Sequence, residues 1–115
     1  MSQPRQLDTA LYRLLRSDDV KGFNAQKPKE GEVDLRGGDF RGIDLRALDA
    51  EHIDFTNAYF RGADLRGLDL RSAKLEGASL AHAQISGSYF PVELSADEIL
   101  MSVNFGTRLR YNTRL

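Results

Sequence analysis

The sequence predicts an all-β chain wound into square coils, with a short helical cap at each end. Three observations predict it. Large apolar residues recur every five positions through the middle of the chain, and small or apolar uncharged residues stand two positions before each. Amphipathic helical patterns flank that register on both sides.

Counting by five from Leu35 gives Leu35, Phe40, Leu45, Ala50, Phe55, Phe60, Leu65, Leu70, Leu75, Leu80, Ile85 and Phe90, with Ala50 the one small member. The accompanying set runs Val33, Gly38, Ile43, Leu48, Ile53, Ala58 and onward to Ser88. Two water-avoiding positions in five fit neither the 3.6 period of a helix nor the simple alternation of a strand. They fit an alternation that restarts: in, out, in, out, corner. The corner is glycine at Gly37, Gly42, Gly62, Gly67, Gly77 and Gly87, because corners need backbone freedom that a Cβ restricts. Four such sides close a coil of about twenty residues, so residues twenty apart stack at about the 4.8 Å spacing of paired strands.

The units Asp-Leu-Arg-Gly, Asp-Phe-Arg-Gly and Ala-Asp-Leu-Arg-Gly resemble those of pentapeptide-repeat proteins. The resemblance covers residues 33–92, twelve units or three coils. It implies a right-handed quadrilateral β-helix and, from the family's distribution, a bacterial protein. A leucine-rich repeat would instead show one strand and a longer return arm in each twenty residues; here the four quarters are equivalent.

The chain divides into an N-terminal cap and connector at 1–32, the coils at 33–92 and a C-terminal cap and tail at 93–115. Leu7, Leu11, Leu14 and Leu15 share one helical face, which is expected to cover the first coil. Asp18, Gly22 and the Gln-Lys-Pro-Lys-Glu-Gly stretch read as a stop and connector. Ser95-Ala-Asp-Glu98 reads as a capping box opening a short helix, with Ile99, Leu100 and Val103 expected to cover the last coil. Leu109, Tyr111, Thr113 and Leu115 then alternate as a strand that could pair with the chain's own sheet or with a second copy.

Little in the sequence points to chemistry. The chain has no cysteine, which removes disulfides, thiolate metal sites and cysteine nucleophiles. His52 and His82 both fall at corners, one and a half coils apart, too far to share a metal. Consecutive aspartates fall on different faces, so they cannot converge as calcium ligands must. No phosphate loop or nucleophile motif appears, and no catalytic, cofactor or metal site is expected. Sixteen basic against seventeen acidic side chains exclude a bulk field for nucleic acid or membrane surfaces. The N-terminus lacks an apolar secretory run, so a cytoplasmic location is expected.

Surface recognition is what remains. A rigid column would display Asp39, Arg41, Tyr59 and Arg61 on one side, with Tyr59 standing where aspartate usually recurs; Tyr and Arg are enriched in interface hot spots. This leads to a non-catalytic protein-interaction or scaffold module with a protein partner. Two other functions are compatible with the pattern. The tail residues Leu109, Tyr111 and Leu115, or an incompletely capped end, could make a homodimer. The family resemblance also implies a mimic of duplex DNA that binds a type II topoisomerase such as gyrase. Residues 33–92, however, hold nine acidic against seven basic side chains, far below one charge per ~1.7 Å of axis.

Overall fold

Chain order is two short helices, the stacked middle and one further helix. The computed structural model describes residues 3–112. Helix α1 spans Ala10–Arg16 and α2 spans Val20–Gln26. Two-residue strands β1 (Val33–Asp34) and β2 (Ile53–Asp54) pair in parallel, Val33 with Ile53 and Asp34 with Asp54. Helix α3 spans Ala96–Phe105.

The twenty-residue offset expected from the sequence is the register of this pairing, and it recurs around the column. Isolated parallel bridges join Asp39 to Tyr59, Asp44 to Asp64, Asp54 to Lys74, Tyr59 to Ser79, Asp64 to Gln84 and Asp69 to Tyr89. Backbone hydrogen bonds repeat the step, as from Leu35 N to Asp54 O at 2.9 Å and from Phe55 N to Lys74 O at 2.8 Å. Among the described residues only β1 and β2 extend to ladders, because each side turns a corner after one or two bridging residues. The corners take positive φ at the glycines named above and also at Ala47, His52, Asn57 and His82.

The inward residues form one core. Leu35, Phe40, Leu45, Phe55, Phe60, Leu65, Leu70, Leu75 and Leu80 are all buried. Phe40 stacks on Phe60 with ring centroids 5.4 Å apart and meets Phe55 edge-on. Gly38 is small because a Cβ there would stand 2.6 Å from the Phe40 ring.

The N-terminal cap departs from expectation in one respect: the segment read as a connector carries a second helix. Asp19 caps α2 by accepting from Gly22 N, at 2.8 Å, and this offsets the low helix propensity of a glycine in the first turn. Phe23 of α2 is fully buried. Besides the leucines, α1 contributes Tyr12, whose ring lies 5.5 Å from that of Phe40 and whose hydroxyl donates to Asp39 O at 2.9 Å. Ahead of α1, Arg5 bridges Gly38 in parallel and covers one side of the first coil.

The fourth side of that coil is held differently. Asn24 donates to Ala47 O and accepts from Asp49 N, and Lys27 pairs with Asp49 at 3.1 Å. No backbone hydrogen bond joins Ala50 to the next coil among the described residues.

At the other end, Ser95 accepts from Glu98 N as its capping role requires, and Gly106 closes α3 in the left-handed region. The Glu98 carboxylate does not return to the cap; it accepts from Arg110. Ile99 and Val103 pack on the core, whereas Leu100 is exposed. Ser102 takes the covering place instead. It is fully buried and accepts from Leu80 N at 2.8 Å.

Candidate functional site

The outer face of the column is built from a local unit, an aspartate followed two residues later by arginine. In each unit Oδ1 of the aspartate accepts from the backbone N and Nε of the arginine, and Oδ2 accepts from Nη2. This occurs at Asp34–Arg36, Asp39–Arg41, Asp44–Arg46, Asp64–Arg66 and Asp69–Arg71. The carboxylate therefore ties the turn to the side chain that neutralises it. Hydrogen bonds from the arginine hold the carboxyls of Asp34, Asp44 and Asp69 down to about 2. Asp54 uses Thr56 in the same way, accepting from its backbone N and hydroxyl.

The sequence singled out Asp39, Arg41, Tyr59 and Arg61 as one surface, and the fold treats them differently. Asp39 is buried at 4 % relative exposure, a correction to its reading as a displayed group. The N-terminal cap covers it: Gln6 donates to Oδ2, and Tyr12 donates to the Asp39 carbonyl. The Arg41 hydrogen bonds lower its carboxyl. Tyr59 is half-buried. The Arg108 guanidinium lies 5.1 Å from its ring centroid and hydrogen-bonds its hydroxyl, so the C-terminal tail covers this tyrosine. Arg41 and Arg61 remain exposed.

Arg61 differs from the other repeat arginines. The position two residues before it is Tyr59, and no carboxylate pairs with it among the described residues. Gly42 N bonds to Arg61 O at 2.8 Å, which sets the two arginine rungs next to each other. Arg16 of α1 reaches the same side, its Nη1 lying 3.4 Å from both Asp39 O and Arg41 O. Arg16, Arg41, Arg61 and Arg108 thus share a side on which Asp39 is the buried counter-charge. Sequence periodicity pointed to Arg61 through Tyr59; nothing in it pointed to Arg16 or Arg108, which arrive from the two caps.

The tail residues also have partners within the chain. Leu109 is buried, donates to Ala78 O and accepts from Gly77 N, beside an antiparallel bridge from Arg108 to Ser79. The Tyr111 hydroxyl accepts from Leu75 N at 2.9 Å. Of the two partners open to the tail, the chain's own last coil takes this segment. Leu115 lies outside the described residues.

His52 and His82 are exposed corner residues. Among the described residues no group of three or more His, Asp or Glu is placed to hold a metal ion, and no helix is long and apolar enough to cross a membrane.

Comparison with known proteins bears on the same stretch. The family model described as pentapeptide repeats matches residues 53–90, in eight copies. No curated protein and no solved structure matches the chain. The match omits residues 33–52, the coil containing Gly38 and Ala50, although that coil carries the same hydrogen-bonded step at Leu35, Phe40 and Leu45.

Proposed function

Since the chain belongs to the pentapeptide-repeat family, we propose that it is a non-catalytic interaction module, a right-handed quadrilateral β-helix whose working face carries Arg16, Arg41, Arg61 and Arg108. Its partner is a protein presenting carboxylates. The observation carrying this reading is Arg61: five repeat arginines are neutralised by their own aspartates, and this one is exposed and pairs with no carboxylate among the described residues. A guanidinium with free donors offers a planar fork to a carboxylate. The column fixes the backbone that presents it, so binding costs no backbone entropy there.

A mimic of duplex DNA has weaker support. Such a surface needs unneutralised negative charge, and here the repeat carboxylates are engaged by arginine, lysine or threonine.

The test uses a poly-glutamate peptide as probe, followed by pull-down from a lysate of the source cells. Wild type should bind the peptide in low salt and lose it as ionic strength rises. Arg16→Glu with Arg61→Glu should abolish binding, while Arg71→Glu, on another side, should weaken it far less. Equal binding by all three proteins, or retention of the same lysate partners by the double variant, would sink the idea.

A further inference from the structure

One seam of the column is unbridged. Between the first two coils the twenty-residue step is a parallel bridge at Asp34–Asp54, Asp39–Tyr59 and Asp44–Asp64. Between the next two it recurs at Asp54–Lys74, Tyr59–Ser79, Asp64–Gln84 and Asp69–Tyr89. The step from Asp49 to Asp69 is absent among the described residues. By the pattern of the other sides, Ala50 N would donate to Asp69 O and Asp69 N to Leu48 O. Neither bond forms, and no backbone hydrogen bond joins residues 46–52 to residues 66–72. A side-chain bond from His52 N to Ser72 Oγ, at 3.2 Å, crosses the seam instead. A cleft of about 460 Å³ opens there, between Leu48, Asp49, Ala50 and Glu51 of the first coil and Asp69 and Arg71 of the second.

Three features hold this side apart. Ala50 is small where each other side of the first coil turns a leucine or phenylalanine inward, so little apolar contact draws it onto Leu70. Asp34, Asp39 and Asp44 are each followed by their own arginine, but Asp49 is followed by Glu51, which sets like charges along the cleft with Asp69. The cap also grips this side from the other direction, through Asn24 on Ala47 O and Asp49 N and through Lys27 on Asp49. Half a coil away the opposite side is fastened. Phe40 N donates to Tyr59 O at 2.8 Å, Tyr59 N to Gly38 O at 3.0 Å and Gly42 N to Arg61 O at 2.8 Å, and the Phe40 ring stacks on Phe60.

We propose that the first coil and the N-terminal cap are hinged on the rest of the column, with the Phe40 side as the spine and the Ala50 side as the edge that opens and closes. The arginine face lies along the spine. Arg16 and Arg41 belong to the moving unit, Arg61 and Arg108 to the remainder, so a tilt at the hinge resets how the two pairs meet a partner. That consequence rests on the reading of the arginine face; the hinge itself does not.

Amide exchange of the full chain reads the hinge without a ligand. Leu45 N, beside the open edge, should exchange about tenfold faster than its counterpart one coil on, Leu65 N, while Phe40 N and Phe60 N exchange alike. Glu51→Cys with Arg71→Cys then supplies a lock. Residues twenty apart stand ~4.8 Å apart where coils are bonded, within reach of a disulfide, and the chain has no cysteine of its own. Oxidation should slow Leu45 N to the rate of Leu65 N and leave Phe40 N and Phe60 N unchanged. Equal rates for Leu45 and Leu65 in the wild type overturn the hinge, as does equal slowing of all four amides on oxidation. The oxidised and reduced forms should also differ about fivefold or more in affinity for the poly-glutamate probe. Binding that ignores the lock overturns the hinge's influence on the face, whereas a probe bound by neither form sinks the reading of the face and leaves the hinge standing.

Discussion

A repeat aspartate in this chain acts on its own turn. Because Oδ1 accepts a backbone N–H two residues on while the arginine fork engages both oxygens, the charged form is favoured and the carboxyl titrates low. For Asp34, Asp44 and Asp69 the shift runs from 3.8 to about 2. A depressed folded value contributes stability above 3.8 that is lost as pH falls toward about 2. Thermal melts should therefore weaken across that window, and less steeply in salt, since these pairs are well exposed. Asp44→Asn with Asp69→Asn keeps the turn acceptor and removes the charge, so the acid dependence should flatten; an unchanged slope would mean the pairs contribute nothing. The aspartate–arginine spacing was legible in the sequence. That Asp39 would be buried was not, because the residues covering it, Gln6 and Tyr12, are far away in the chain.

At the scale of elements, the caps act by satisfying edge groups as well as by covering apolar ones. Ser102 illustrates this: it sits mid-helix among apolar neighbours, yet its hydroxyl is the acceptor for Leu80 N. Ser102→Ala leaves that buried donor unmatched and should destabilise the fold by about 1–3 kcal/mol, read from a denaturant midpoint. A helical-face argument chose Leu100 as a covering residue because it weighs hydrophobicity alone. The docking angle of α3 exposes Leu100 and turns Ser102 inward. Helix α2 escaped sequence reading for a related reason, since its glycine signals a break unless the aspartate cap ahead of it is given weight.

For the molecule as a whole, the aromatic part of the core lies where the N-terminal cap meets the first two coils. Phe40 touches Tyr12, Phe55 and Phe60 and is fully buried. Phe40→Ala should cost about 3–5 kcal/mol, a large part of the ~5–15 kcal/mol typical of a domain. A fall of that size in unfolding free energy, with Arg61 binding retained in the remaining folded protein, is the expected outcome. A loss below ~1 kcal/mol would show that the cap and coils are not one cooperative unit.

The sequence by itself determined what repeats: the twenty-residue register, the inward columns, the corner glycines and the aspartate–arginine pairs. Each depends on residues a few positions apart, and repetition multiplies the signal. Only the tertiary structure decided what happens once. It placed Asp39 under the cap, drew Arg108 over Tyr59, set Arg16 beside Arg41, docked Leu109 on the last coil and left the seam at Ala50 unbridged. Those outcomes turn on where two short caps settle on the ends of a column. That placement arises from contacts between residues distant in the chain, for which periodicity carries no information.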